Sequence, residues 1–147
     1  TLFRSAQVGP DGGQLLGLHL REAELLGDER HGGVLGAQAA AGRLLETSVA
    51  NVFVRLGDRL VTPPAPGRCL PGVLRGWLLE HAPDLGFEAV ERDVTLEQLE
   101  VADEVWITNA VLGVRRVGSV NDRTWRRWDG FSRLRTVGVP APGWPAS

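Results

Sequence analysis

The chain has 147 residues and a mass of 15.9 kDa, the size of one ordinary domain or of part of a larger protein. A chain of this length hides roughly 70% of its extended surface on folding and needs no metal or disulfide staple. Hydrophobic residues at 43% and charged residues at 23% exclude a disordered tail or a fibrous repeat, and no apolar run approaches the roughly 18 residues of a membrane-spanning helix.

In chain order, Ala6 to Gly13 is polar and glycine-rich and predicts a loop. Leu15, Leu18, Ala23, Leu25 and Leu26 recur at helical spacing, which predicts a helix from Gln14 to Leu26 with Gly27 as its C-terminal cap. Gly32 to Gln38 and Gly42 to Glu46 are extended runs around an Ala39-Ala40-Ala41 turn, and Asn51 to Leu56 and Arg59 to Val61 continue a meander through the turn Gly57-Asp58. Thr62 to Cys69 holds three prolines and predicts an irregular crossing.

Pro71-Gly72 opens a second helix with Val73, Leu74, Trp77, Leu78 and Ala82 on one face, ended by Pro83 and Gly86. Phe87 to Val94 predicts an approximate strand. Thr95 with Gln98 three residues on forms a capping box for a short helix, Leu96 to Ala102. Glu104 to Thr108 and Gly113 to Val120 are strands by their β-branched and aromatic content, and Asp122 to Arg135 predicts a last helix with Trp128, Phe131 and Leu134 inward. The proline-rich end, 139–147, is expected to fray.

The formal charge of −2 conceals a division: residues 1–110 carry nine arginines against sixteen acids, and 111–147 carry seven against two, a split of −7 and +5. Trp125-Arg126-Arg127-Trp128 interleaves aromatics with cations as nucleic-acid binders do, but these rings fall at helical spacing, so packing is the expectation and nucleic acid is not. The single cysteine, Cys69, cannot form an internal disulfide and fits a reduced, cytoplasmic setting; His19, His31 and His81 lack metal-ligand spacing, and no metal is expected. All sixteen Lys+Arg positions are arginine, so the chain contains no lysine, and it contains no methionine. Thr1-Leu2-Phe3-Arg4-Ser5 looks like the translated end of a sequencing adapter. Residues 1–5 are therefore expected to be non-native, and the remainder to be the carboxy-terminal part of a longer protein.

Three stretches carry possible chemistry. Glu46 closes a strand and is followed by the small residues Thr47, Ser48 and Ala50, which puts a carboxylate where a flat heterocycle can approach the backbone. Pro71-Gly72 leads into a helix whose first amides, at Val73 and Leu74, point outward beside a residue without a side chain, a place for a phosphate. Thr108-Asn109-Ala110 ends a strand in a sharp turn and offers a hydroxyl, a carboxamide and amides to an anion. Each alone is ordinary punctuation.

Taken in order, E-x-S-x-x-N-x-F (46–53), T-P-P (62–64), L-P-G-x-x-R (70–75), A-D-E (102–104) and I-T-N-A-x-x-G-V-x-x-V (107–117) resemble the class IV aminotransferase family, the fold-type IV pyridoxal-phosphate enzymes. The resemblance runs from about Leu15 to Val120. Thr108 to Val117 is most similar to aminodeoxychorismate lyase, with branched-chain and D-amino-acid aminotransferases next. It implies an α/β fold, the large carboxy-terminal domain of such enzymes, with short strands curled into a barrel-like sheet and helices outside, over residues 6–138. It also implies pyridoxal 5′-phosphate as cofactor, with Glu46 on the pyridine nitrogen, Gly72, Val73 and Leu74 at the phosphate, and Asn109 and Ala110 contacting the phosphate from the other side. Relatives carry Ser or Thr where Ala110 stands, so one hydroxyl contact is missing. Arg75 is expected to support the helix rather than the substrate.

The family's Schiff-base lysine belongs in or before Gly9 to Leu15, where no lysine stands, and arginine cannot replace it because it stays protonated. The catalytic set is thus absent from this chain. The resemblance implies that the parent protein is a homodimeric enzyme acting on a small amino-bearing substrate. It would be a lyase forming 4-aminobenzoate and pyruvate on the folate route or, alternatively, a transaminase; a non-catalytic module that binds a phosphate ligand or a partner is the remaining alternative.

Overall fold

The computed structural model describes residues 6–8, 14–22, 34–40, 43–47, 50–65, 72–109 and 113–137, with side chains from residue 50 onward except 135 and 136. Among the described residues eleven strands share one sheet. They are β1 (Ala6–Val8), β2 (Gln14–Glu22), β3 (Val34–Ala40), β4 (Arg43–Thr47), β5 (Asn51–Leu56), β6 (Arg59–Thr62), β7 (Glu88–Glu91), β8 (Val94–Thr95), β9 (Glu104–Asn109), β10 (Gly113–Val120) and β11 (Arg123–Thr124). The main path runs β7-β6-β5-β9-β10-β2-β3-β4-β8, with β1 on β2 and β11 on β10. The path is open: β7 and β8 end it and do not pair with each other, so the curled sheet is not a closed barrel. Register shifts between Val117 and Ser119 and between Ala37 and Ala39 mark irregularities of the kind that bend a sheet.

Among the described residues all the strand pairings but one are antiparallel. β6 and β7 are parallel, and the link between them carries helix α1 (Val73–His81), the crossover that a parallel pair requires. A 3-10 turn, Ala82–Leu85, extends α1 to Gly86, which takes a positive φ of 82° as the left-handed cap. Helix α2 (Leu96–Val101) has the predicted capping box: Gln98 N–H donates to Thr95 Oγ1, and Thr95 N–H to Gln98 Oε1, both at 3.0 Å.

The central strands β5 and β9 are buried on both faces, and the two-residue alternation sends their side chains into two cores. Val52, Val54, Val105 and Ile107 join Leu99 and Trp125 on one side. Phe53 and Trp106 join Leu78, Leu85 and Phe87, under α1, on the other.

Four expectations are corrected. Gln14 to Glu22 is strand β2, paired with β3 and β10, and not a helix. Leu16, Leu18 and Leu20 alternate at period two within it, and Gly17 weakens a helix there. Three residues of the expected first loop, Ala6–Val8, pair with β2. Phe87 to Val94 splits into β7 and β8 at opposite ends of the sheet. Asp122 to Arg135 is only partly helical: β11 and an extended stretch come first, followed by the short helix α3 (Asp129–Ser132) and a 3-10 turn, Arg133–Thr136. Tertiary bonds hold the extended part, because Arg123 Nη2 and Trp125 Nε1 both donate to the Ala102 carbonyl, at 3.1 and 2.8 Å. Cys69, His31, Ala110, residues 1–5 and the whole tail, 139–147, lie outside the described residues.

Candidate functional site

The site builds on the start of α1. Gly72 is its N-cap in extended conformation (φ −66°, ψ 151°), with no side-chain cap, and the first helical bond runs from Gly76 N–H to Gly72 C=O at 3.1 Å. The amides of Val73, Leu74 and Arg75 precede that bond and have no acceptor within the helix. The first turn carries no acid, so the positive end of α1 is not neutralised by its own side chains. Leu74 and Leu78 are buried and fix the helix on the sheet, while Val73, expected on the apolar face, is half exposed at the helix start.

Beneath this start lies Asn51, the first residue of β5. A methyl group placed on Gly72 would overlap Asn51 Oδ1, so glycine is the residue that lets the helix begin this close to the strand. Asn51 pairs with Thr108 across β5 and β9, which puts the two side chains on one face, the face on which Phe53 and Trp106 meet the α1 core. Thr108 is 2% exposed, and its hydroxyl has no hydrogen-bond partner among the described residues. Asn109 follows as the last residue of β9.

Three separated motifs therefore meet through Asn51 from the first, Gly72 at the start of α1 from the second and Thr108 from the third, while Asn109, one residue on in β9, points to the opposite face of the sheet. Glu46 stands in β4, where the backbone alone is described. It stands five positions before Asn51, so its Cα lies at most about 18 Å from that of Asn51 by chain reach.

Arg75 is buried and faces the protein. Its Nη2 donates to the Pro63 carbonyl at 2.9 Å and to Glu91 Oε1 at 2.7 Å, tying the first turn of α1 to the end of β6 and to β7. That is the supporting role expected of it. His81 stacks on Trp77 with ring centroids 4.4 Å apart, and its Nδ1 lies 2.8 Å from the Trp77 carbonyl. Among the described residues there is no cluster of three or more metal-ligating side chains.

Two residues gain roles that spacing alone does not reveal. Asn51 sits inside a quoted motif, but its contact with Gly72 is tertiary. Glu104, in the Ala102-Asp103-Glu104 stretch, is a fully buried carboxylate that organises the opposite end of β9. It accepts from Arg55 Nη1 at 2.6 Å, from the Gly130 and Phe131 amides at 2.8 and 3.0 Å, and from Trp106 Nε1 at 3.3 Å. It thereby docks α3 against the strand whose other end carries Thr108.

Side by side stand helix amides that have no acceptor within α1, a glycine approach, a buried hydroxyl and a first turn without an acid, features that suit an anion. The chain offers no lysine to anchor a carbonyl compound covalently.

The family model for amino-transferase class IV matches residues 35–120. The chain is similar to branched-chain-amino-acid aminotransferase 1, mitochondrial, of Arabidopsis thaliana, 39% identical over 111 residues, which cover 71% of this chain and 29% of that protein. It is also similar to aminodeoxychorismate lyase of Bacillus subtilis, 40% identical over 73 residues, covering 50% of this chain and 25% of that one. Among solved structures, the fold is similar to 4-amino-4-deoxychorismate lyase from Pseudomonas aeruginosa, with a TM-score of 0.66 at 26% identity over 76% of this chain and 42% of that one. It is likewise similar to an aminotransferase from Brucella abortus bound to the cofactor PLP, with a TM-score of 0.60 at 25% identity over 65% and 34%. The chain spans less than a third of the length of the two curated relatives.

Proposed function

This chain belongs to the class IV aminotransferase family, and from that membership we propose that it supplies the phosphate-holding wall of a pyridoxal 5′-phosphate site in an enzyme of small amino-bearing substrates. The observation that carries the proposal is the junction of Gly72, Asn51 and Thr108 at the unneutralised start of α1.

In this reading the Val73 and Leu74 amides donate to phosphate oxygens, Gly72 lets the group approach the backbone, and Asn109 with Ala110 closes on it from β9. Glu46 keeps a proton on the pyridine nitrogen. When bound, the cofactor supplies an electron sink for charge that develops on the carbon bearing the amino group. The residues of this chain bind and orient it; none of them anchors it covalently.

For the intact protein the reading is a lyase that converts aminodeoxychorismate to 4-aminobenzoate and pyruvate, supported by the Thr108 to Val117 pattern. Branched-chain transamination is the second reading, supported by the long stretch of identity with the Arabidopsis enzyme. The two are separated by offering the intact protein aminodeoxychorismate in one assay and a branched-chain amino acid with a 2-oxo acid in another. A homodimer is the expected assembly of that protein.

The chain itself is tested with pyridoxal phosphate. A lysine-free polypeptide has no side-chain amine to trap the aldehyde non-specifically, so the background is low. The expected result is saturable binding that inorganic phosphate displaces, with no side chain labelled after borohydride reduction and mass analysis. Binding that phosphate does not displace, or no binding at all, refutes the proposal.

A further inference from the structure

A threonine hydroxyl offers one donor and two acceptor lone pairs, and buried hydroxyls are normally engaged. Thr108 departs from that rule: its hydroxyl is shut off from solvent and has no partner among the described residues. Valine would fill the same space in a strand at no polar cost, so shape and strand propensity do not account for a threonine here. By contrast Thr62, also fully buried, donates to the Val52 carbonyl at 2.6 Å.

The unused hydroxyl lies on the sheet face against which α1 begins. Thr108 is the cross-strand partner of Asn51, Asn51 Oδ1 abuts Gly72, and α1 packs on β9 with its first amides beyond that glycine. The residue two positions on is Ala110, which brings no hydroxyl of its own.

We propose that Thr108 Oγ1 is the side-chain donor of this phosphate site, completing with the Val73 and Leu74 amides a set that recognises a phosphate monoester. The inference rests on the function proposed above and names one more residue of the same site. The anion takes the hydroxyl proton as a hydrogen bond, with no bond made or broken, and the absence of competing water strengthens that bond.

The experiment uses the full 147-residue chain with three probes, inorganic phosphate, pyridoxal phosphate and phosphate-free pyridoxal, followed by calorimetry and phosphorus NMR. T108V removes the hydroxyl and keeps the shape, whereas T108S keeps the hydroxyl. The expected outcome is that T108V binds both phosphate compounds about tenfold or more weakly, as for a lost hydrogen bond to a charged group. T108S should stay close to the parent, and any weak binding of pyridoxal should not change. Should T108V fail to fold by near-ultraviolet circular dichroism, T108A supplies the same comparison. If the parent binds phosphate and pyridoxal phosphate but T108V, or T108A in its place, binds them equally well, the role of Thr108 is overturned and the phosphate wall stands. If the parent binds neither, both fall together.

Discussion

At Gly72 and at Gly130 a hydrogen in place of a side chain decides what the neighbours can do. At Gly72 a methyl group would meet Asn51 Oδ1, so G72A must lift the start of α1 away from β5. The expected result is a loss of phosphate and pyridoxal-phosphate affinity of about tenfold or more, with a much smaller change in thermal midpoint, read by titration and a melt. At Gly130 a methyl group would lie 2.6 Å from Glu104 Oε2 and 2.7 Å from Phe87 Cζ, so glycine is what allows the α3 amides to reach the carboxylate. Removing that carboxylate leaves Arg55, Trp106 Nε1 and two backbone amides without their acceptor. E104A is therefore expected to destabilise the chain by about 3 kcal/mol in urea titration, and E104Q by less. The glycine, the threonine and the asparagine of the site are visible in the sequence as motif members. The meeting of Asn51 with Gly72 is not, because it joins residues from two elements whose approach depends on where α1 crosses the sheet.

The elements divide by how local their causes are. The capping box of α2 is legible because Thr95 and Gln98 satisfy each other within four residues, and T95A is expected to cost about 1 kcal/mol, measurable as a lower urea midpoint. β5, β9 and α1 are legible for a similar reason: a dense β-branched and aromatic content marks the strands, and a proline-glycine start marks the helix. β2 is not, since its leucines satisfy a period of two and a period near 3.6 together, and only pairing with β3 and β10 selects between them. The segment from Asp122 on fails as a helix for a tertiary reason: Arg123 and Trp125 bond back to the end of α2, and Asn121 turns the chain with a positive φ of 50°. α3 leans on Glu104 for its first amides. In E104A, hydrogen exchange is accordingly expected to rise at Gly130 and Phe131 before it rises in β9.

Across the whole molecule the two cores are not independent, because β5 and β9 supply side chains to both in alternation. Urea unfolding followed by the emission of buried Trp106 and by far-ultraviolet circular dichroism is expected to give one coincident transition; two separated midpoints would show that the layers fail separately. Among the described residues the open sheet also leaves β7 with an unpaired side. That strand is only four residues long and bears exposed Glu88 and Glu91 at its two ends, each engaged by an arginine of its own chain, Arg59 and Arg75. A stray β-segment trying to extend the sheet there would find a docking rail four residues long, too short to reward it, with a charged pair at each end. The brevity of that border thus disfavours the accretion of foreign strands there, without closing the ring.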